Sequence, residues 1–528
     1  MAQIPVRLNT QGMSFPLLSR HSGRTVISPQ GDLTYVPGVN TDGDVPQNRG
    51  IPDIFYCHNV MPSTYGWQAV GFLGRSSALG NPSHAALQEF SVNGAEIVSG
   101  NAGSSGLRTT IISVREGDNA GIYILQPNDT WIRAINCPSY PFTAELSVAS
   151  VNGYSYVCIP GFGVYVVDID ANTVIQRTLE GLTQTAIDGI FSSNGYLLVW
   201  TVRSVVWSSV TDVEDFVPSD VSGAGGGSIQ DAEGDIVYCS KTPTGYLVFT
   251  ISNCVAAVYT ANEDFPFEYR IIQDVGGLKS PKLLTKGTIA GNYYAITSSG
   301  IQRISQTSAR SVLSNVNDFI AGNLFEDFNE ETNTLSTTTL EVPMSTGIQA
   351  VGNRYLVISY SNGSISSYTH AIVIDLLQSR MGKIKLPHVY CFDYTDLASG
   401  NVGEPRHSLA FLQADGVIKT VNFDIKCEET SGVLILGKLQ LLRQRFIEMQ
   451  EVELESVCPG DNFELLDLPS LDGKTLLTPV PGFLDPETEG QINKNYFFST
   501  AAMNHSLLFK GSFELTSILI NFTLHGRQ

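Results

Sequence analysis

One pattern recurs along most of the chain: a glycine-containing turn, a run of aromatic and β-branched residues, a second turn and another short strand. Clear copies are "NGYSYVCIPGFGVYVVDID" from Asn152, "NGYLLVWTVRSVVWSS" from Asn194 and "TGYLVFTISNCVAAVYT" from Thr244. Others are "GNYYAITSSGIQRIS" from Gly291, "GNRYLVISYSNGSISSYTHAIVIDL" from Gly352 and "HSLAFLQADGVIKTVNFD" from His407, with a looser copy from Leu107. Successive starts lie 45, 42, 50, 47, 61 and 55 residues apart. Several short strands per repeat at roughly 40–50 residues is the spacing of β-propeller blades. One small twisted sheet cannot cover both of its faces, whereas radially stacked sheets cover one another. The pattern predicts a mainly β protein with a β-propeller of six or seven blades. A β-sandwich with irregular strands is the rival reading, because no Trp-Asp or kelch diglycine signature marks the blades.

The flanks differ from the repeats. Residues 1–100 are rich in Pro, Gly, Ser and Asn and read as an extended docking segment; 101–425 is the propeller. Residues 426–528 read as a C-terminal β domain packed with the N-terminal segment. Within it, Leu439, Leu442, Phe446, Met449 and Val452 would line one face of a helix, yet "VELESV" alternates as a strand does. The final "SLLFKGSFELTSILINFTLHGRQ" reads as two strands across Lys510-Gly511.

Composition narrows the function classes. In 528 residues, 31 Lys and Arg against 51 Asp and Glu give a net charge of −20. A general nucleic-acid binder needs a basic footprint to replace phosphate counterions, and this chain has the opposite sign. Like charge still suits a surface past which DNA slides without sticking. The eight cysteines (57, 137, 158, 239, 254, 391, 427 and 458) are scattered, many in apolar runs, and read as buried thiols. No leader peptide is visible at the N-terminus, and no apolar run reaches the ~18 residues of a membrane-crossing helix.

Residues 204–280 concentrate glycines and acids. "SGAGGGS" (222–228) lacks the Lys-Ser/Thr that ends a phosphate loop, and "DVEDF" (212–216) lacks the alternating oxygen ligands of a calcium loop. The eight histidines form no HExxH, no nucleophile elbow is present, and the repeated Ser-x-Asp-x-Gly-x-x-Trp turn of sialidase-like propellers is missing. No enzyme, cofactor or metal is expected. Trp207 and Phe216 read as anchors packing a turn. Asp215, Gly223, Gly225, Gly276 and Gly277 read as structural or interface positions, with glycine serving backbone geometry.

The same stretch carries a resemblance. "VVWSSVTDVEDFVPS" leading into "GAGGGSIQDAEGDI", followed by "TGYLVFTISNCVAAVYT" and "FPFEYRIIQDVGGLKSP", resembles the tail nozzle (tail tubular protein B-like) subunits of short-tailed bacteriophages. "IFYCHNVMPSTYGWQAVGF" (54–72) and the Gly-Arg ending are similar to segments of that family, so the likeness touches beginning, middle and end. It implies a virion tail protein assembled in the host cytoplasm into a homo-oligomeric ring, a hexamer, below the head-to-tail adaptor ring. Genome DNA would pass through its channel without sequence-specific binding, and tail fibres or spikes would dock outside. Six copies at −20 each would carry −120 formal charges. Candidate channel-lining acids are Glu326, Asp327, Glu330 and Glu331, in the acidic, polar and apparently loop-forming "FEDFNEETNT" (325–334). The alternatives are a propeller hydrolase and a receptor- or polysaccharide-binding tail protein.

Overall fold

At Asn152-Gly153 and Asn194-Gly195 both residues have positive φ, +50° and +79° in the first pair and +52° and +87° in the second. A two-residue type I′ hairpin turn demands this backbone, and Asn-Gly is the pair that adopts it at least cost. Each turn joins the first strand of a small sheet to the second, Ser147–Val151 to Tyr154–Ile159 and Gly189–Ser193 to Tyr196–Trp200. The sequence repeats therefore begin one strand inside each blade.

The computed structural model describes residues 21–27, 54–76, 95–99 and 108–524, each longer segment apart from short internal stretches. Seven antiparallel sheets follow one another along the chain as blades. Blade 1 spans 95–141, blade 2 147–177, blade 3 189–228 and blade 4 236–271. Blade 5 has strands Tyr293–Thr297, Gly300–Ile304 and Ala309–Ser311 in a sheet, and among the described residues its innermost position holds the bridges Leu284↔Ala295 and Ile289↔Asn292. Blade 6 spans 345–388 and blade 7 begins at Tyr390–Thr395. Inner strands of blades 1 to 4 lie side by side in turn, the inner edge of blade 5 lies against that of blade 6, blade 6 against blade 7, and the inner strand of blade 7 meets that of blade 1. The ring is closed. Between blades 4 and 5 the Tyr293 hydroxyl donates to the Lys241 carbonyl.

Closure uses a strand from the other end of the chain. Blade 7 runs Tyr390–Thr395, His407–Leu412, Ile418–Asn422 and then Gly71–Ser76, which precedes blade 1 in sequence. Phe72 meets Phe411 edge-on across this sheet. The propeller thus extends into the N-terminal segment instead of beginning at 101.

The remaining strands form a sandwich. One sheet is Ile54–His58, Gly432–Leu436, Leu507–Gly511, Glu464–Asp467 and Val480–Pro481. The other is continuous with blade 6: beyond Arg380–His388 it runs through Val60–Pro62, Trp67–Ala69, Glu514–Leu524, Ile447–Ser456, Asn493–Ala502 and Phe483–Leu484, eleven strands in all with His21–Ile27 against Glu514–Leu524. Cys57, Trp67, Leu434, Met449, Val452, Phe509 and Ile518 share the core between the two sheets. Met449 and Val452 therefore lie on a strand; Leu439 and Leu442 fall outside the described residues. The two C-terminal strands flank Gly511, at φ +101°, but enter different sheets instead of pairing.

If the N-terminal strand closes the ring, Phe72→Ala should lower stability by about 2 kcal/mol, below the usual loss for a fully enclosed Phe because Phe72 is only half-buried. Urea unfolding of the variant beside the parent chain measures this.

Candidate functional site

The glycine- and acid-rich stretch is a set of fasteners between blades. Trp207 ends the third strand of blade 3; its indole N–H donates to the Gly223 carbonyl at 3.0 Å, and its ring meets Phe267 of blade 4 edge-on at 5.7 Å. Phe216 is buried with Leu179, Ile187 and Ile190, which joins the loop after Trp207 to the connection between blades 2 and 3. Backbone bonds hold the same place: Glu180 N–H donates to Glu214, and Phe216 N–H to Glu180. Asp215 turns inward on its own loop, where its Oδ1 accepts from Val217 N–H at 2.9 Å.

Gly223 has φ +68°, and Gly225–Ser228 is the outer strand of blade 3. A Cβ on Gly225 would sit 3.1 Å from the Trp207 ring. Gly276 and Gly277 mark where blade 4 and blade 5 turns touch. A Cβ on Gly277 would fall 1.9 Å from the Ile251 carbonyl oxygen, and one on Gly276 2.7 Å from Ser299 N. Gly276 and Gly277 thus admit backbone against backbone, and Gly225 leaves room for the Trp207 ring.

The acidic segment 325–334 is a hairpin, Leu324–Asn329 paired with Thr334–Thr339, not a loop. It lies over the outer face of the smaller sandwich sheet, where Phe328 packs with Tyr56, Val433, Ile435 and Leu508. Glu326 is 2% exposed and Lys383 of blade 6 is fully buried; their charged groups are 3.8 Å apart. The Lys383 ammonium also lies 4.5 Å from the centre of the Tyr56 ring. A buried carboxylate paired inside its own chain cannot line an open channel, so Glu326 leaves the set of lumen candidates. Asp327 pairs with Lys385 at 2.6 Å and Glu330 approaches His58 Nε2 at 3.3 Å, while Glu331 is exposed at the tip.

Two histidines, His58 and His370, sit at this junction, and His388 lies on the opposite face of the blade 6 sheet against Phe411 of blade 7; burial makes each a weaker base than usual. His388 falls to about 4, with Nδ1–H donating to the Leu386 carbonyl and Nε2 accepting from Ser359. His370, stacked on Tyr360, falls to about 2 through burial and then through Lys383 and Lys385. His58 is lowered by burial, against the pull of Glu330. The Glu330 carboxyl is itself held down, first by its contact with His58. A neutral imidazole facing a carboxylate satisfies both shifts. His370 therefore forms no ion pair with Asp327, 3.9 Å away.

A second buried pair, His505 and Asp467 at 2.8 Å, has the composition of a catalytic dyad. Its geometry is closed. His505 Nε2 donates to the Ile447 carbonyl at 2.9 Å and Thr500 donates to Asp467 at 2.5 Å, so no ring nitrogen is open to a substrate. Sequence reasoning passed over both this pair and the Lys383–Glu326 pair, because each joins segments remote in sequence. Among the described residues no cluster of His, Cys, Asp and Glu is arranged for a metal ion, and no helix is long and apolar enough to cross a membrane. Six cysteines are buried free thiols; Cys427 and Cys458 lie outside the described residues.

No protein-family model and no curated protein matches the chain. Solved structures do resemble it. The WD40 β-propeller domain of Doa1 aligns with 9% identity over 67% of this chain and 97% of that one, at a TM-score of 0.36. Virginiamycin B lyase from Staphylococcus aureus aligns with 11% identity over 66% and 99%, at 0.34. BamB from Moraxella catarrhalis aligns with 11% identity over 71% and 98%, at 0.33. At these TM-scores the likeness carries no argument, and the fold rests on the closed ring of seven blades itself. The chain is a β-propeller protein.

Two outcomes are expected from these contacts. Gly277→Ala should destabilise by roughly 2–3 kcal/mol through backbone overlap, whereas Gly74→Ala, whose Cβ would meet only Lys419 Nζ at 3.8 Å, should be near neutral in the same denaturation assay. Stability should also fall with acid. The unfolded histidines take up protons below about pH 6.5, whereas burial disfavours protonation of His58, His370 and His388, so stabilisation present above that pH is lost as pH drops. His370→Phe should recover about 2–3 kcal/mol of that loss at pH 4.5 relative to pH 7.5; an unchanged pH profile would show that His370 does not contribute.

Proposed function

We propose that this chain is a structural subunit of a virion tail, one of six forming a nozzle ring beneath the head-to-tail adaptor of a short-tailed phage. The observation that carries this reading is the uninterrupted sheet from blade 6 to the far edge of the sandwich. Backbone hydrogen bonds across eleven strands join the propeller to the flanking strands as one stiff body, the mechanical property that a ring under internal genome pressure requires. The stretch that resembles nozzle subunits, residues 204–280, is the part that fastens blades 2 to 5 together, a use suited to a scaffold. The net charge of −20 per chain favours passage of DNA over its retention by the wall. In this reading the chain catalyses nothing, the adaptor ring meets one end and fibres or spikes dock on the outer surface.

Cryo-electron microscopy of intact particles, with copy number from quantitative peptide mass spectrometry, tests the proposal. Six copies per particle in a ring around DNA density are expected. A chain found at fibre tips, or absent from particles, would overturn it, and cleavage of host polysaccharide by the purified chain would replace it with a hydrolase.

A further inference from the structure

The hairpin Leu324–Asn329/Thr334–Thr339 is attached to the rest of the chain in an unusual way. Among the described residues its strands pair only with each other, so no sheet ladder ties it down. Side chains hold it instead, and they sort by sign. The hairpin brings carboxylates, Glu326 and Asp327, and the body brings Lys383 and Lys385. Body lysines also donate to hairpin carbonyls, Lys510 to Glu330 at 2.9 Å and Lys385 to Phe328 at 3.2 Å. Phe328, stacked on Tyr56 at 5.9 Å, is the apolar plug.

The connections on either side are narrow. The preceding helix, Ser314–Ala321, is anchored by buried Val316 and Phe319 and ends at Gly322. Asn323 follows at φ +52°, and its backbone carbonyl and side-chain oxygen fasten Leu340 and Met344. Past Leu340, which packs against the core of blades 5 and 6, the return segment is exposed, Val342 at 64%. Rotation at Gly322-Asn323 and at 340–343 would carry the hairpin off as a unit while the helix stays in place.

Neither half of the contact is stable alone. A lone two-stranded ribbon is marginal in water, and the vacated site would expose Tyr56, Val433, Ile435 and Leu508 beside a fully buried lysine. This same hairpin fits that surface in shape and charge, and every other copy of the chain carries one.

We propose that the hairpin is exchanged between copies of this chain: it docks on its own body in the monomer and on the neighbour's identical site in the assembled form. The proposal rests on the assembly reading above. Exchange creates a link between subunits without any new interface chemistry, because each ion pair and the Phe328 plug are re-formed with identical partners.

The Asp327–Lys385 pair provides the readout, since both side chains are partly exposed, 46% and 33%. Chains labelled with ¹⁴N and chains labelled with ¹⁵N are mixed as monomers and concentrated until they assemble. A water-soluble carbodiimide then joins the Asp327 carboxyl to the Lys385 amine as an amide, with loss of water, and the linked peptides are weighed. Exchange predicts that about half of the Asp327–Lys385 links in the oligomer combine light with heavy peptide, and none in the residual monomer. An oligomer containing only same-isotope links would overturn exchange and leave the ring reading intact. A chain that remains monomeric at every concentration would overturn exchange as well, while six copies around DNA in particles would still uphold the ring.

Discussion

Almost everything outside the propeller depends on one strand, Arg380–His388. On one edge it completes blade 6; on the other, Val60 pairs with Lys383 and opens the sheet toward the sandwich. The two backbones meet so closely that a Cβ on Gly382 would lie 2.3 Å from the Val60 carbonyl oxygen. The same strand supplies Lys383 and Lys385, on which the acidic hairpin rests. Ladder, glycine and buried lysine thus coincide within four residues. Such a strand cannot slip by one register position without turning Lys383 to the opposite face and stranding Glu326 unpaired.

The junction also shows what a buried charge can do in a structural protein. Taking Lys383 and Glu326 out of water costs several kcal/mol, and an apolar pair of similar volume could be at least as stable. What the ions add is discrimination. Of the surfaces a hairpin might cover, only one presents an ammonium among the rings of Tyr56 and Tyr360. The weakened His58 and His370 are uncharged neighbours of that ammonium at neutral pH, so its attraction falls on Glu326 and Asp327.

The propeller could be read in the sequence because its turns are chemically explicit. Asn-Gly pairs at 152–153 and 194–195 need positive φ at both residues, and few other dipeptides tolerate this, so each marks a hairpin by itself. The hairpin at 324–339 reads as a loop in the sequence because Glu, Asp and Asn are poor strand formers. Its alternation of Glu326 and Phe328 toward the body makes sense only once Lys383 and Tyr56 are known to lie beneath them. The His505–Asp467 pair was invisible for a similar reason: its third participant is the carbonyl of Ile447, and no side-chain motif records a carbonyl.

The closing strand of blade 7 sets an order of events on the ribosome. Thr420 donates to the Leu73 carbonyl across a separation of 347 residues, so Gly71–Ser76 emerges early and finds its partner only after six blades have been made. Throughout that interval a nascent chain carries an open ring and a strand with unpaired amides, the kind of edge that recruits other chains. Contacts of such long range make the final step slow. Synthesis of this protein therefore leaves its ring unsealed until the seventh blade is made, and the yield of closed rings depends on keeping that earlier strand occupied or shielded until Ile418–Asn422 arrives.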